Sequence, residues 1–319
     1  MGMKGFKGFE KDFSCRGKQY EENTIYEEHG VGCCHKGVMH FCEDPWEVLN
    51  HYDLVDENGN FSEFAEVEAL GQVWNDGEKR ATNKIHIGAK LGLKGFLKAC
   101  IDFTLEKTNG TNMPGNSAKI GSSGYSAQIG SSGDYAKIGS SGYSAQIGSS
   151  GDYAKIGSSG DSAKIGSSGD SAKIGSSGYS AQIGSSGYSA QIGSSGNSAQ
   201  IGSSGDSAQI GSSGDSAKIG SSGYSAQIGS SGDSAQIGSS GNYAQINSTG
   251  EDAVIMCAGS RSKAKGKKGS WITLTEWVKD EEKGRYVPIC VKTERVDGEK
   301  IKENTYYTLK NGEFVEVQE

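Results

Sequence analysis

The stretch CCHKGVMHFC gathers Cys33, Cys34, His35, His40 and Cys42, and Cys15 and His29 lie upstream of it. Thiolate and imidazole are the donors that zinc takes, but a structural zinc site sets them in pairs such as C-x2-C with a second pair at a distance. That spacing is missing, so the sequence assigns no metal site. Two further groups recur at fixed positions of a short repeat: Tyr125, Tyr143, Tyr179, Tyr188 and Tyr224, and Lys137, Lys155 and Lys173. Rows of aromatic and cationic side chains recognise a partner by stacking and charge, so these are binding candidates. The run RSKAKGKK adds Arg261, Lys263, Lys265, Lys267 and Lys268, which could meet an acidic partner or form a solvated loop. None of these groups has the spacing of a catalytic set, and none implies a cofactor.

What positions them is the repeat. Ile recurs every nine residues from Ile120 to Ile255, and an Ala stands two residues before each Ile. Residues two apart on a strand share a face, so Ala and Ile point inward together while the intervening Lys or Gln points out. Gly in Ser-Gly-Xaa is expected to supply the turn by tolerating positive φ. A disordered Gly/Ser linker would need no apolar register. The fold class is therefore mainly β: a parallel β-solenoid of nine-residue units, two to a coil, with a three-sided coil of 27 as the alternative. The chain has 319 residues, 50 of them Gly, with only 34% hydrophobic residues, too lean for one conventional core.

Two ligand readings of the repeat are weighed on residue type. Calcium-binding nonapeptides place an Asp in every unit, whereas here Asp gives way to Tyr or Asn in many units. Ice-binding ladders present small hydroxyls, whereas this repeat also carries bulky Tyr and charged Lys; an ice-binding-like solenoid stays as an alternative. With two units to a coil, one face carries Lys119, Lys137, Lys155 and Lys173 and then Gln191 to Gln245. Each repeat Lys stands three residues after an Asp or Asn, which reads as local charge compensation on a solvated face.

Solenoid ends need caps. Leu93, Phe96, Leu97, Cys100, Ile101 and Leu105 follow a helical period, so Leu91–Lys107 is expected to plug the first coil, with Cys100 in the core. SWITLTEWV and YVPICVKTERV read as strands, and Asn311-Gly312 in YYTLKNGEFVEV signals a hairpin. The expected domains are a small α/β unit over 1–88, helix and connector over 89–115, solenoid over 116–258, and a basic loop with a β cap over 259–319. No apolar run approaches the ~20 residues of a membrane span. An odd count of seven cysteines, and an MGMKGFKGFEKDF start without the apolar stretch of a signal peptide, point to free thiols in a reducing cytoplasm.

The stretch KGFKGFEKDFSCRGKQYEE, followed by KGVMHFCEDPWEVLNHYD and FAEVEALGQV, resembles the N-terminal domain of an uncharacterised family encoded in phage and gut Firmicutes genomes. In that family a polar repeat tract follows a helix like IGAKLGLKGF, and the C-terminal region is similar to KKGSWITLTEW and YYTLKNGEFVEV. Where relatives carry Gly-Phe-His-Phe-Cys, this chain has Val38-Met39-His40-Phe41-Cys42. The resemblance brings no established activity. It implies a phage- or prophage-linked protein in the host cytoplasm; the rigid solenoid itself, with its charged and aromatic ladders, leads us to expect a non-enzymatic interaction protein that binds a host macromolecule, a host protein before any other, with inhibition of host defence as one such role. The near balance of Asp and Lys in the repeat disfavours nucleic acid as that partner. At the level of fold, the same region is similar to ADP-ribosyltransferase-like domains. Its counterparts of their elements are Arg16-Gly17, His40-Phe41, Pro45, a helix over Pro45–His51 and Glu66-Val67-Glu68. That likeness implies an alternative, catalytic reading carried by His40, Tyr52, Glu66 and Glu68, with a polar side chain holding a ribose and a carboxylate orienting the nucleophile.

Overall fold

The computed structural model describes residues 2–33, 37–55, 61–108 and 115–317, with the side chains of 105–108 left aside. The N-terminal unit is an antiparallel seven-stranded sheet. Its order is Thr24–Glu27, Lys84–Lys90, Glu63–Ala69, Met3–Phe9, Met39–Cys42, Lys79–Thr82 and Val73–Asp76. Alternation in these strands buries Phe9, Phe41, Val67, Ile85 and Ile87 on one side. The expected α/β unit is thus a β unit. Between its strands, among the described residues, the helix is only the single turn Pro45–Val48, shorter than the Pro45–His51 expected. Asp44 caps that turn, accepting the Trp46 N–H at 2.9 Å.

The repeat folds as a parallel solenoid of two sheets, with alternate units going to alternate sheets. Ile120 pairs with Ile138 and Ile129 with Ile147, a register of 18 residues that sets two units to a coil and excludes the three-sided form. Inside, the Ala and Ile ladders are almost wholly buried, as at Ala172, Ile174, Ala181 and Ile183. The sheets run beyond the expected boundary at 258. Val254–Cys257 pairs in parallel with Trp271–Leu274, and Lys263–Lys265 continues the opposite sheet. The basic run is therefore a coil edge and strand of the solenoid, not a loop.

Two turn devices differ from expectation. The turn glycines do not sit at positive φ; that conformation falls two residues later, at Tyr135 (58°), Ser171 (57°) and Ser216 (56°). Glycine is needed there because the coils stack too closely for a side chain. A Cβ on Gly142 would lie 1.9 Å from the Gly124 carbonyl oxygen. The Asp that follows does not compensate a nearby Lys. Asp134 accepts the Asp152 N–H at 3.0 Å, Asp152 that of Asp170 at 2.8 Å, and Asp170 that of Tyr188 at 2.9 Å. The opposite edge repeats this from Asn197 to Glu251. These side-chain oxygens pin one coil to the next.

The helix Gly92–Thr108 does not plug the first coil. It lies along the outer face of the sheet that begins with Lys119–Ser122, touching four successive strands there. Cys100 is buried in its packed side, as expected. At the far end the β cap forms as read. Trp271–Asp280 turns back as Arg285–Arg295, and Tyr306–Lys310 as Glu313–Val317 through Asn311 (φ 52°) and Gly312 (φ 72°).

Candidate functional site

The outward face of each solenoid sheet carries two rows, one of Lys or Gln and one of Gly. On the first sheet both rows are occupied by the chain itself. The Lys row meets the segment around the short helix. Lys119 and Lys137 approach Asp44 at 3.2 and 3.1 Å, and Lys137 also pairs with Glu47. Lys155 donates to the Trp46 carbonyl at 2.6 Å and to Asn50 Oδ1 at 2.7 Å. Lys173 donates to the Leu49 carbonyl at 2.7 Å and pairs with Asp53 at 2.9 Å. Gln191 donates to Asp53 at 2.8 Å and accepts the Leu54 N–H at 3.2 Å. From Lys137 through Lys155 to Lys173 the partner moves three residues per coil, from Glu47 to Asn50 to Asp53, while Lys119 shares Asp44 with Lys137 and Gln191 shares Asp53 with Lys173. One helical turn rises ~5.4 Å and one strand spacing is ~4.8 Å, so a turn of chain advances about one coil.

The Gly row is used in the same way by the long helix. A Cβ on Gly157 would lie 3.6 Å from Ile101, one on Gly175 would lie 2.4 Å from Leu97, and one on Gly193 would lie 3.4 Å from Leu93. Ile101, Leu97 and Leu93 stand four apart on one helix ridge; the glycines stand 18 apart, one to a coil. Trp46 joins this contact, its indole N–H shared between the Cys100 carbonyl at 3.1 Å and Thr104 Oγ1 at 2.8 Å. The Lys137, Lys155 and Lys173 binding candidates are therefore committed to an internal interface rather than to a solvated face.

The environments set their charge. At Lys137 burial opposes ionisation, but Glu47 and Asp44 outweigh it and hold the ammonium above the ordinary lysine value. Lys155 has neutral oxygens for direct partners, and burial lowers it to about 8.

The second sheet presents the same rows, and among the described residues nothing lies over them. Gln146, Lys164, Gln182, Gln200 and Lys218 flank Gly148, Gly166, Gly184, Gly202 and Gly220, and a Cβ at each of these glycines would meet no atom within 4 Å. Together they floor a shallow trough of about 1270 Å³ that runs much of the rod's length. This open face was not singled out from the sequence, because its unit is the same nonapeptide as the closed one.

The remaining candidates lie apart. Tyr125, Tyr143, Tyr179, Tyr188 and Tyr224 are exposed on the two edges, where Tyr125 stacks on Tyr143 at 5.2 Å. Lys263 and Lys265 cover the Tyr306 ring, Lys267 pairs with Glu251, Arg261 donates to the Tyr243 hydroxyl, and the Lys268 N–H meets Glu303. Of the alternative catalytic set, His40 and Tyr52 line one cavity of the N-terminal sheet. Glu66 and Glu68 do not: Glu66 is exposed, and Glu68 accepts the Gly2 N–H at 3.0 Å. Cys34 and His35 of the zinc reading lie outside the described residues. Among the described residues, no helix is long and apolar enough to cross a membrane.

Residues 3–99 match the model of a family described as a domain of unknown function (DUF7666). The match covers the N-terminal sheet and the first part of the long helix. No curated protein and no solved structure matches the chain.

Proposed function

We propose that the protein acts by binding, and that the open face of the solenoid is its binding surface. The observation that supports this is the twin trough. One Gly row holds an amphipathic helix whose apolar residues fall four apart, and an equivalent row on the other side is uncovered among the described residues. The fitting occupant is a partner helix with Leu, Ile or Phe at i, i+4 and i+8, laid along the rod with its apolar ridge on the glycines. The flanking Gln row and Lys164 and Lys218 would face its polar sides and favour acidic residues there. The resemblance to phage-encoded proteins makes a host protein in the cytoplasm the partner under this reading, and obstruction of that protein the effect.

The test uses a labelled, helix-stapled peptide of residues 92–108 as a probe added to the intact chain. Saturable binding is expected, and it should be lost in a Gly184→Val, Gly202→Val double variant that keeps its melting temperature. No binding, or binding indifferent to both substitutions, would refute the helix-docking reading.

A further inference from the structure

Beneath the N-terminal sheet lies a cavity of about 500 Å³, a size that fits a small molecule. Lys7 is almost completely buried at its edge, at 5% exposure. Its hydrogen-bond acceptors are the Cys15 sulfur at 3.4 Å and the His40 carbonyl at 3.1 Å, neither of them a carboxylate. The Tyr52 hydroxyl donates to the same sulfur at 2.8 Å. The backbone is shaped for this contact: a Cβ on Gly8 would lie 2.6 Å from the Tyr52 ring, so only glycine lets the ring lie against that strand. Arg16, Lys18 and Lys79 also line the cavity; Glu28 pairs with Lys18 and Asp76 with Lys79, so with Lys7 the four cations outnumber these two acids among the described residues. The space is therefore cationic, with Phe6, Tyr20 and Phe41 as its apolar wall.

We propose that this cavity is a reactive-thiol site, in which Cys15 attacks a small organic anion that carries an electrophilic carbon next to its carboxylate or phosphate. The sulfur forms the new S–C bond, and the leaving group departs with the electron pair of the bond it breaks. The thiol proton passes to the Lys7 amine. Tyr52 holds the sulfur through its hydroxyl, and Arg16 receives the anionic group. Burial keeps the Lys7 ammonium below the ordinary lysine value. The site is separate from the open face of the rod and does not depend on it.

Iodoacetate and iodoacetamide test this on the full chain at neutral pH, because they deliver the same carbon with and without a charge. Alkylation is read at each cysteine by mass spectrometry, with half-buried Cys290 as internal reference. Cys15 should react with iodoacetate about tenfold faster than Cys290, and only Cys15 should prefer iodoacetate to iodoacetamide. Arg16→Gln, a change outside the packed core, should abolish that preference while sparing the iodoacetamide rate. Tyr52→Phe, which keeps the ring, should slow both reagents at Cys15. Equal rates at Cys15 and Cys290, or the same reagent ratio at both, would overturn the proposal.

Discussion

Leu97 lies so close over Gly175 that a Cβ added there would sit 2.4 Å from its Cδ2, whereas the same addition at Gly184, one unit later, would meet nothing within 4 Å. Two glycines at the same position of consecutive repeat units thus have opposite physical meaning. Gly175→Val should destabilise the fold by ~1–3 kcal/mol through overpacking against the helix. Gly184→Val should be neutral, or stabilising by roughly 0.5–1 kcal/mol, because glycine inside a strand is unfavourable. Chemical denaturation of the two variants checks this directly.

The Lys rows divide in the same way. Lys137 holds two carboxylates in a nearly closed interface, so Lys137→Met leaves Glu47 without its cation and Asp44 with Lys119 alone, and should cost ~3 kcal/mol. Lys164 stands on the open face, and Lys164→Met should stay within ~0.5 kcal/mol of the parent. Equal costs at the two positions would contradict the ion-pair assignment.

Lys155 gives a pH signature. Burial lowers its folded value to about 8, against about 10.5 for an ordinary lysine, so between these values the unfolded chain binds more protons and stability from this group rises with pH. Cys42 and Cys257, pushed up to about 12 by burial, act in the opposite sense over part of that range. The readout is therefore a difference: the stability of the parent relative to Lys155→Met should increase from pH 8 to 10. A flat difference would mean that Lys155 is not desolvated.

The 18-residue register predicts a contrast between deletions. Removing Gly214–Ser231 takes out one whole coil beyond Gly211, where Val55 and Phe61 reach the solenoid, rejoins Ser213 to Gly232 in phase, and should keep the fold. Removing nine residues exchanges the two sheets downstream and sends each C-terminal hairpin to the wrong edge. The melting temperature of the second variant should fall clearly below that of the first.

The solenoid was legible because sixteen Ile and sixteen Ala in strict phase leave few ways to be buried. Which face the chain would cover was harder to see, since GDSAKIGSS and GYSAQIGSS serve both sheets. One signal was present: Lys119, Lys137, Lys155 and Lys173 fall on successive coils of one face and stop at Gln191, and Asp44, Glu47 and Asp53 stand near helical spacing upstream. Reading that Lys row against its neighbouring Asp instead produced the solvated face that the structure replaces. Cys15 could not be picked from spacing, because its partners Lys7 and Tyr52 reach it from separate elements. The helix was recognised as amphipathic, but its period alone could not distinguish an end plug from a strap along a face.

The most direct measurement of the account is lysine footprinting of the native chain with an amine-reactive ester, resolved by residue. Lys164 and Lys218 on the open face should label rapidly, and Lys137, Lys155 and Lys173 should label only on unfolding. Addition of the 92–108 peptide should then protect Lys164 and Lys218 alone. Uniform labelling of all five lysines, or protection that ignores the open face, would contradict a rod closed on one side by its own chain and open for binding on the other.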